Sequence, residues 1–557
     1  MSRFVDRIVT SARACGGAGS RGLVTGEPRA ARRGTWAEVH EEARHIAAAL
    51  RESVRPGAAV AVLAADPGLI APAVQGGWLA GNSVTMLHQP TPRTDLARWA
   101  QDTVRVLGVV DAELVLLGSP FEPLADLLRS HDIRYRDLAE LAAHPDSLDE
   151  PVPTGEASTA LLQLTSGSTA DPKAVRITHG NLHANTTAMV DSARLDPVRD
   201  VAVSWLPLFH DMGLVGTLVV PMSIGMEAVQ VTPTDFLTAP LLWPKLISRY
   251  GGTVTAAPNF AYAVTARRMA NAEDGAFDLS GLRFALNGAE PVDTTAVRAF
   301  TEAGARFGLR ETAMVCAYGM AEATLAVSFA ALDRPVRVDT VSAEVLERHH
   351  RAEPAAGAER TRSFALLGGA LPGLEIQVVD DAGIELGERE VGMLRIRGAA
   401  VTPGYLTADG PVAAQDADGW LDTGDDGYLT GGEVVICGRR KDVIIMGGRN
   451  IYPVDIERAA CEVGGVRAGN AAAVRLDADT RRERFAVVLE STAAGTADEE
   501  KSLRNAVTAK VTRAVGARPA TVVVLPPGAL PKTPSGKLKR AATASLVPTE
   551  KPAPDLR

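Results

Sequence analysis

The apolar positions of the chain fall into two regimes. From Trp36 to Arg51 they recur at helical spacing in an Ala-rich amphipathic stretch, Ala58 to Leu63 is a short continuous run of strand type, and Ile70 to Leu79 returns to helix. Short apolar runs bounded by Gly or polar residues follow at Val106–Val110, Leu114–Leu117, Val201–Leu206, Ala228–Val231 and Thr253–Ala256, and each reads as a strand. This alternation predicts α/β construction, with stacked βα units over roughly the first 330 residues. From Glu375 onward the runs shorten and alternate (Glu375–Val379, Met393–Arg397, Gly427–Leu429, Val434–Ile436, Val443–Met446) with Gly and Asp turns between, the pattern of an antiparallel section. Past Gly447 a compact α+β pattern takes over, with strands at Ala471–Val474, Phe485–Leu489 and Thr521–Leu525 and a helix from Asp498 to about Val515, acidic at its start and basic toward its end. The expected organisation is a large N-terminal domain, 1–440, of stacked βα subdomains with an antiparallel β section, and a small mobile α+β domain, 441–557, hinged near Arg440–Asp442. Segment Ser342–Arg362, rich in Glu, Arg, His and Ala, reads as an insertion or surface excursion.

At 557 residues the chain is long enough for three or four structural units. Its 58 Lys+Arg against 67 Asp+Glu leave a formal charge of −9, which offers no broad cationic field for nucleic acid or anionic lipid. Leu214–Ile224, among the longest apolar stretches, is broken by Gly and Pro well short of the ~18 residues a membrane span needs. Arg3, Arg7 and Arg13 are not followed by a continuous apolar segment, so neither a secretory signal nor a membrane span is expected. Cys15, Cys316, Cys437 and Cys461 are too scattered for a disulfide framework and form no C-x-x-C pair, which suits a reducing cytoplasm.

Lysine is scarce, nine against forty-nine arginines, so the surviving lysines carry information. Five of the nine, Lys173, Lys441, Lys532, Lys537 and Lys539, sit in three Gly-containing segments, where a compact ammonium on a flexible stem suits a phosphate better than a planar guanidinium does. The first segment runs from the strand-like Leu161–Leu164 into Thr165-Ser166-Gly167-Ser168-Thr169-Ala170-Asp171-Pro172-Lys173, then into a second strand, Val175–Ile177, and a helix after Thr178-His179. Hydroxyls and backbone N–H groups on such a loop wrap an anion, although the spacing is not that of a Walker A loop. The second pairs the acidic turn Asp422-Thr423-Gly424-Asp425-Asp426-Gly427 with Gly438-Arg439-Arg440-Lys441-Asp442, a combination suited to vicinal hydroxyls and a phosphate. The third, Pro531–Arg540, is a stiffened loop presenting cations.

In this order along the chain, the motifs resemble those of the adenylate-forming superfamily of acyl-CoA synthetases, luciferases and peptide-synthetase adenylation domains. Trp205–Leu214, Ala257–Tyr262 and Arg449–Glu457 look most like fatty acyl-AMP ligases, and Ser342–Arg362 falls where those ligases carry an extra segment. The resemblance implies a ligase that activates a small-molecule carboxylic acid with ATP and Mg²⁺ as acyl-AMP and hands the acyl group to coenzyme A or to the phosphopantetheine of an acyl carrier protein. It implies that Thr165, Ser166, Gly167, Ser168, Thr169 and Lys173 hold the ATP phosphates, that Gly288, Ala289 and Glu290 wall the adenine, and that Tyr318, followed by Gly319 and Met320, stacks on it. Glu322 would coordinate Mg²⁺, Asp425 would accept the ribose hydroxyls, Arg439 would support ribose or phosphate, and His210 would lie near the acyl carboxylate. Lys441 takes the hinge position, and Lys537 is the lysine of the mobile domain that reaches the α-phosphate. Met212, Gly213, Gly216, Asn259, Phe260 and Tyr262 are expected to line the acyl pocket. The sequence departs from the usual pattern at Ala174, where Gly is common, and at Ala170-Asp171. A left-handed backbone at those positions would strain the loop, so two alternatives stay open: an enzyme that only forms thioester from preformed acyl-AMP, and a non-catalytic acyl-nucleotide sensor.

Overall fold

Thr35 starts the helix Trp36–Ser53 with a capping box: its hydroxyl accepts the Glu38 N–H at 3.2 Å while the Glu38 carboxylate accepts the Thr35 N–H at 2.7 Å. The apolar face of that helix packs on helix Pro67–Leu79, and Gly76 is required there because a Cβ would meet the Ile46 side chain at 2.8 Å and the Ala43 carbonyl at 2.9 Å. These helices cover one face of a sheet in the computed structural model, which describes residues 1–17, 19–90, 94–165, 172–478, 480, 483–532 and 537–548.

Among the described residues, two large mixed sheets carry most of the chain. One has eight strands, its parallel part (Thr159–Thr165, Ser83–Met86, Ala59–Leu63, Ala112–Leu117, Tyr135–Asp137) continued antiparallel by Lys173–Thr178, Gly404–Thr407 and Gly410–Ala413. The other has nine, six of them parallel in the order Met314–Gly319, Phe284–Asn287, Val254–Ala257, Val201–Ser204, Glu227–Gln230, Gly22–Thr25. Four antiparallel strands (Leu374–Val379, Gly392–Gly398, Leu421–Thr430, Glu433–Arg439) form the expected antiparallel section. Strands Ala471–Leu476, Arg484–Glu490 and Thr521–Leu525 pack with helices Pro453–Cys461 and Ala497–Val515 around an apolar core drawn from residues 444–524. The mixed α/β class is as the pattern predicts.

Two readings of the sequence are corrected. Val106–Val110 is not a strand but the end of helix Leu96–Val110, which Asp95 caps by accepting the Ala97 and Arg98 N–H groups at 3.0 and 3.2 Å. Trp99, Thr103, Leu107 and Val110 form its buried stripe, a helical period that the short apolar run conceals when taken alone. Ser342–Arg362 is more than a surface excursion. It holds the helix Ala343–His349 between paired strands Val338–Ser342 and Thr361–Ala365, and its side chains grip the segment after the expected hinge. Arg360 and Arg449 converge on one Glu347 oxygen, each at 2.6 Å, and buried Arg362 pairs with Asp455 at 2.8 Å while its guanidinium lies 4.3 Å from the Tyr452 ring centroid. The apolar run near Leu214 is core rather than membrane: Met212–Val219 is a π-helical segment leading into helix Val220–Ile224, and no helix among the described residues is long and apolar enough to cross a membrane.

Candidate active site

The carboxyl ends of the parallel strands of the nine-stranded sheet open onto a cavity of about 3030 Å³, whose far walls come from the eight-stranded sheet and the C-terminal core. Strand ends are where an open α/β sheet exposes unpaired backbone and short loops, and hence where ligands bind. Strand Phe284–Asn287 delivers Gly288, Ala289 and Glu290 to this cavity, strand Met314–Gly319 delivers Tyr318, Gly319 and Met320, and the turn Ala321–Ala323 delivers Glu322. Two residues of these turns hold a positive φ at a cost that glycine would avoid, Ala289 at the cavity (φ 67°) and, just behind Glu322, the β-branched Thr324 (φ 69°). Thr324 is anchored through its hydroxyl, which donates to the Ala400 carbonyl at 2.8 Å.

The antiparallel section supplies the opposite wall. Its register sets Asp425 directly across from Arg439, and the two form an ion pair at 3.0 Å. The second Asp425 oxygen accepts the Tyr318 hydroxyl at 2.7 Å, and the Arg439 guanidinium also donates to the Thr423 carbonyl at 3.0 Å. Burial pushes the Asp425 carboxyl up, and Arg439 followed by the Tyr318 hydroxyl pulls it back. Burial, with the Asp425 charge beside it, raises neighbouring Asp426 to about 7. An acceptor carboxylate braced by one cation and one hydroxyl is suited to accept a pair of hydroxyls.

His210 follows strand Val201–Ser204, and its Nδ1 lies 2.7 Å from the Asp211 carboxylate. Burial works to raise Asp211, but His210 and then Lys537 hold it below the usual carboxylate range. Gln163 fixes this turn: its amide donates to the Phe209 carbonyl at 3.0 Å, while its own carbonyl oxygen, like the Thr165 hydroxyl two residues on, is buried at the cavity without a protein partner. His88 packs edge-on against Phe209, ring centroids 5.4 Å apart, and burial, then His210 and Lys539, lowers it to about 4.

Lys173, Lys441 and Lys537 face the same cavity. Lys537 comes from the C-terminal core, yet its charge is felt at Asp211, Asp425 and Glu290. Arg540 secures that loop, donating to both Glu457 oxygens at 2.9 Å and to Asp442, next to the expected hinge, at 2.9 Å. Lys441 lies in the short turn Arg440–Asp442, its ammonium pKa lowered by burial and, more weakly, by Arg439 and Lys173. Lys532 lines the cavity as well, and its ammonium donates to Asn470 Oδ1 at 2.8 Å.

Several expectations change on this geometry. Ser166, Gly167, Ser168 and Thr169 lie outside the described residues, as do Ala170 and Asp171; Thr165 and Lys173, which flank them, line the cavity. Ala174 needs no left-handed backbone: it pairs with Leu164 and Leu406 in regular strand, and its methyl is buried between sheet and helix. Met212, Gly216, Asn259 and Phe260 line the cavity, whereas Tyr262 and Gly213 do not. Tyr262 is fully buried against Trp243 and Phe300, its hydroxyl donating to the Leu286 carbonyl at 2.8 Å. Gly213 is a packing glycine, since a Cβ would meet the Pro207 carbonyl oxygen at 2.2 Å. Glu290 spends one oxygen on the Phe260 N–H at 2.6 Å, holding the start of helix Asn259–Met269 beside Gly288 and Ala289 at the cavity. Gln163, Asp211 and His88, and Tyr405, whose hydroxyl donates to Glu322 Oε1 at 3.2 Å from behind the cavity wall, were not singled out from sequence.

Comparison with known proteins agrees with this geometry. The family model described as AMP-binding enzyme matches residues 15–406. A putative ligase, Rv1013, of Mycobacterium tuberculosis is 52% identical over 550 residues, covering 98% of this chain and 100% of the relative. The long-chain-fatty-acid–AMP ligase FadD28 of the same species is 30% identical over 540 residues, 91% of each chain. A solved structure from a study of fatty acyl-adenylate ligases of E. coli and L. pneumophila superposes with a TM-score of 0.87 at 30% identity, covering 98% of both chains. On these grounds the chain belongs to the AMP-binding enzymes, and within them its likeness to the fatty acyl-AMP ligases runs nearly from end to end.

Proposed function

We propose that the protein joins a carboxylic acid to AMP at the expense of ATP and then passes the acyl group to a thiol. The observation that carries this reading is the convergence on one cavity of the Tyr318–Asp425–Arg439 cluster, the His210–Asp211 pair and Lys537. The cavity far exceeds the 300–1,000 Å³ of a single small-ligand pocket, so nucleotide, acyl group and incoming thiol have room together. Tyr318 and the Gly288–Glu290 wall hold adenine, Asp425 takes the ribose hydroxyls, and the apolar side at Met212, Gly216 and Phe260 takes the acyl chain.

In the first step the acid's carboxylate oxygen bonds to the α-phosphorus while the bond to the β-phosphate oxygen breaks and pyrophosphate leaves. Two anions must meet, so the protein's task is electrostatic: Lys537 faces the α-phosphate and Lys173 the leaving phosphates. Mg²⁺ would enter as the nucleotide's own complex, held mainly by its phosphates. Glu322 and the unpartnered Thr165 hydroxyl are the groups that would meet it, and Mg²⁺ would supply charge neutralisation there. In the second step the sulfur bonds to the acyl carbon, the carbon–oxygen bond to AMP breaks, and the thiol proton passes to solvent. Swinging residues 441–557 about Lys441 withdraws Lys537 and clears the approach of that thiol, either coenzyme A or a carrier-protein phosphopantetheine. With Ala174 in relaxed strand, the ground for an enzyme restricted to preformed acyl-AMP falls away at that position.

The test incubates the protein with a panel of fatty and aryl acids plus MgATP, and separately with their synthetic adenylates, each with coenzyme A or a carrier protein. Acid-dependent pyrophosphate release followed by thioester supports the proposal. Thioester from adenylates alone, or tight binding without turnover, overturns it.

A further inference from the structure

Lys173 and Glu322, expected on either side of the MgATP phosphates, come from different sheets and are about 150 residues apart in sequence, yet one segment ties both down. Residues 400–407 run between them. The Ala400 carbonyl accepts the strained Thr324 hydroxyl at 2.8 Å, the Thr402 N–H donates to the Glu322 carbonyl at 2.7 Å, and the Thr402 hydroxyl donates to the Arg176 carbonyl at 2.5 Å. Strand Gly404–Thr407 then pairs with the strand that begins at Lys173, setting Tyr405 opposite Val175. From there the Tyr405 ring lies under the Lys173 ammonium, 4.1 Å from nitrogen to centroid, and its hydroxyl donates to Glu322 Oε1 at 3.2 Å. Lys173 and Glu322 line the cavity; Tyr405 stands behind them.

We propose that Tyr405 is a positioning residue for MgATP: its ring sets the Lys173 ammonium, its hydroxyl sets the Glu322 carboxylate, and together they fix the spacing of cation and carboxylate across the polyphosphate. This rests on the nucleotide reading of the site given above. A cation on an aromatic face keeps its charge toward the ligand while losing freedom, and a carboxylate held by a phenol keeps a second oxygen for an incoming ion. AMP lacks the β- and γ-phosphates and comes with no obligatory metal, so it should not register the loss of either contact.

Calorimetric titration of the full chain with MgATP and with AMP tests this. Tyr405→Phe keeps the ring and loses the hydroxyl, so the Mg²⁺ concentration needed for half-maximal ATP binding should rise several-fold, with affinity largely restored at saturating Mg²⁺. Tyr405→Leu should weaken MgATP about tenfold and AMP less than twofold. In a Lys173→Met background Tyr405→Leu should cost markedly less, since part of its effect passes through the lysine. Equal losses for ATP and AMP, or an unchanged MgATP affinity in Tyr405→Leu, overturn the proposal. A wild-type protein that binds neither nucleotide overturns the reading of the site itself, a result distinct from both.

Discussion

Lys537 and Ala174 are the residues whose substitution separates the two half-reactions from mere folding. Replacing Lys537 by Ala removes a cation needed only while charge builds at the α-phosphorus, so acid-dependent pyrophosphate release should fall by about 10²–10³. Thioester formation from supplied acyl-AMP should stay within about tenfold, and equal loss of both would remove Lys537 from its assigned place. Asp425→Ala should instead weaken ATP and acyl-AMP alike, as titrations of each would show, because the ribose is common to both. Ala174→Gly should leave adenylation unchanged within about threefold while costing about 1–2 kcal/mol in urea unfolding, since it deletes a buried methyl and loosens a strand. Sequence alone pointed to the opposite outcome at Ala174, because a motif shows which residue is unusual but not its φ angle; pairing with Leu164 and Leu406 on both sides supplies that. Rarity was the better guide. Lysine scarcity exposed Lys173, Lys441 and Lys537, and the same argument applied to the seven tyrosines would have flagged Tyr405 beside Tyr318.

At the scale of elements, strands that are short, apolar and bounded by turns were legible, because their burial is local in origin. Helix Leu96–Val110 was misread where its stripe of Trp99, Thr103, Leu107 and Val110 spans more residues than the apolar run at its end. The excursion 342–362 was located but its work was hidden, because its partners, Arg449 and Asp455, lie about a hundred residues on. Burying the Arg362–Asp455 pair makes it sensitive to loss of one member. Arg362→Met should destabilise by about 2–4 kcal/mol, reduced from the fully buried case by the partial exposure of Asp455, and pairing it with Asp455→Leu should recover most of that. Denaturant titration of both variants decides this; a double variant no better than the single one would show that the guanidinium acts through its stacking on Tyr452 instead. Lys441→Pro addresses the turn Arg440–Asp442 directly. If the small domain swings there, fixing φ should preserve only the half-reaction that matches the trapped orientation, and unchanged rates for both would put the pivot elsewhere.

For the whole molecule, the balance of buried titratable groups sets how stability follows pH. His179 is fully buried beneath the N-terminal helix, with Ser2 Oγ 3.1 Å from its Nδ1, and burial lowers its pKa to about 4 against the weaker pull of Glu156. His88 at the cavity is likewise lowered to about 4. In the unfolded chain each takes up a proton near pH 6.5, which the folded protein refuses until about pH 4, so stability is whole above pH 6.5 and drains away as pH falls through that window. For fully buried His179 the loss approaches about 2 kcal/mol at pH 5 and about 3 kcal/mol near pH 4. Asp426 works in the opposite sense. Raised to about 7, it is protonated in the folded state before the unfolded one, and it adds stability as pH drops. Urea unfolding at pH 7 and pH 5 should therefore show a net decline in the wild-type protein, a steeper one in Asp426→Asn, which lacks the offset, and a shallower one in His179→Asn. Were His179→Asn to keep the full wild-type slope, the buried imidazole would not be the group that refuses the proton, and the acid sensitivity would have to come from His88 and the other buried histidines.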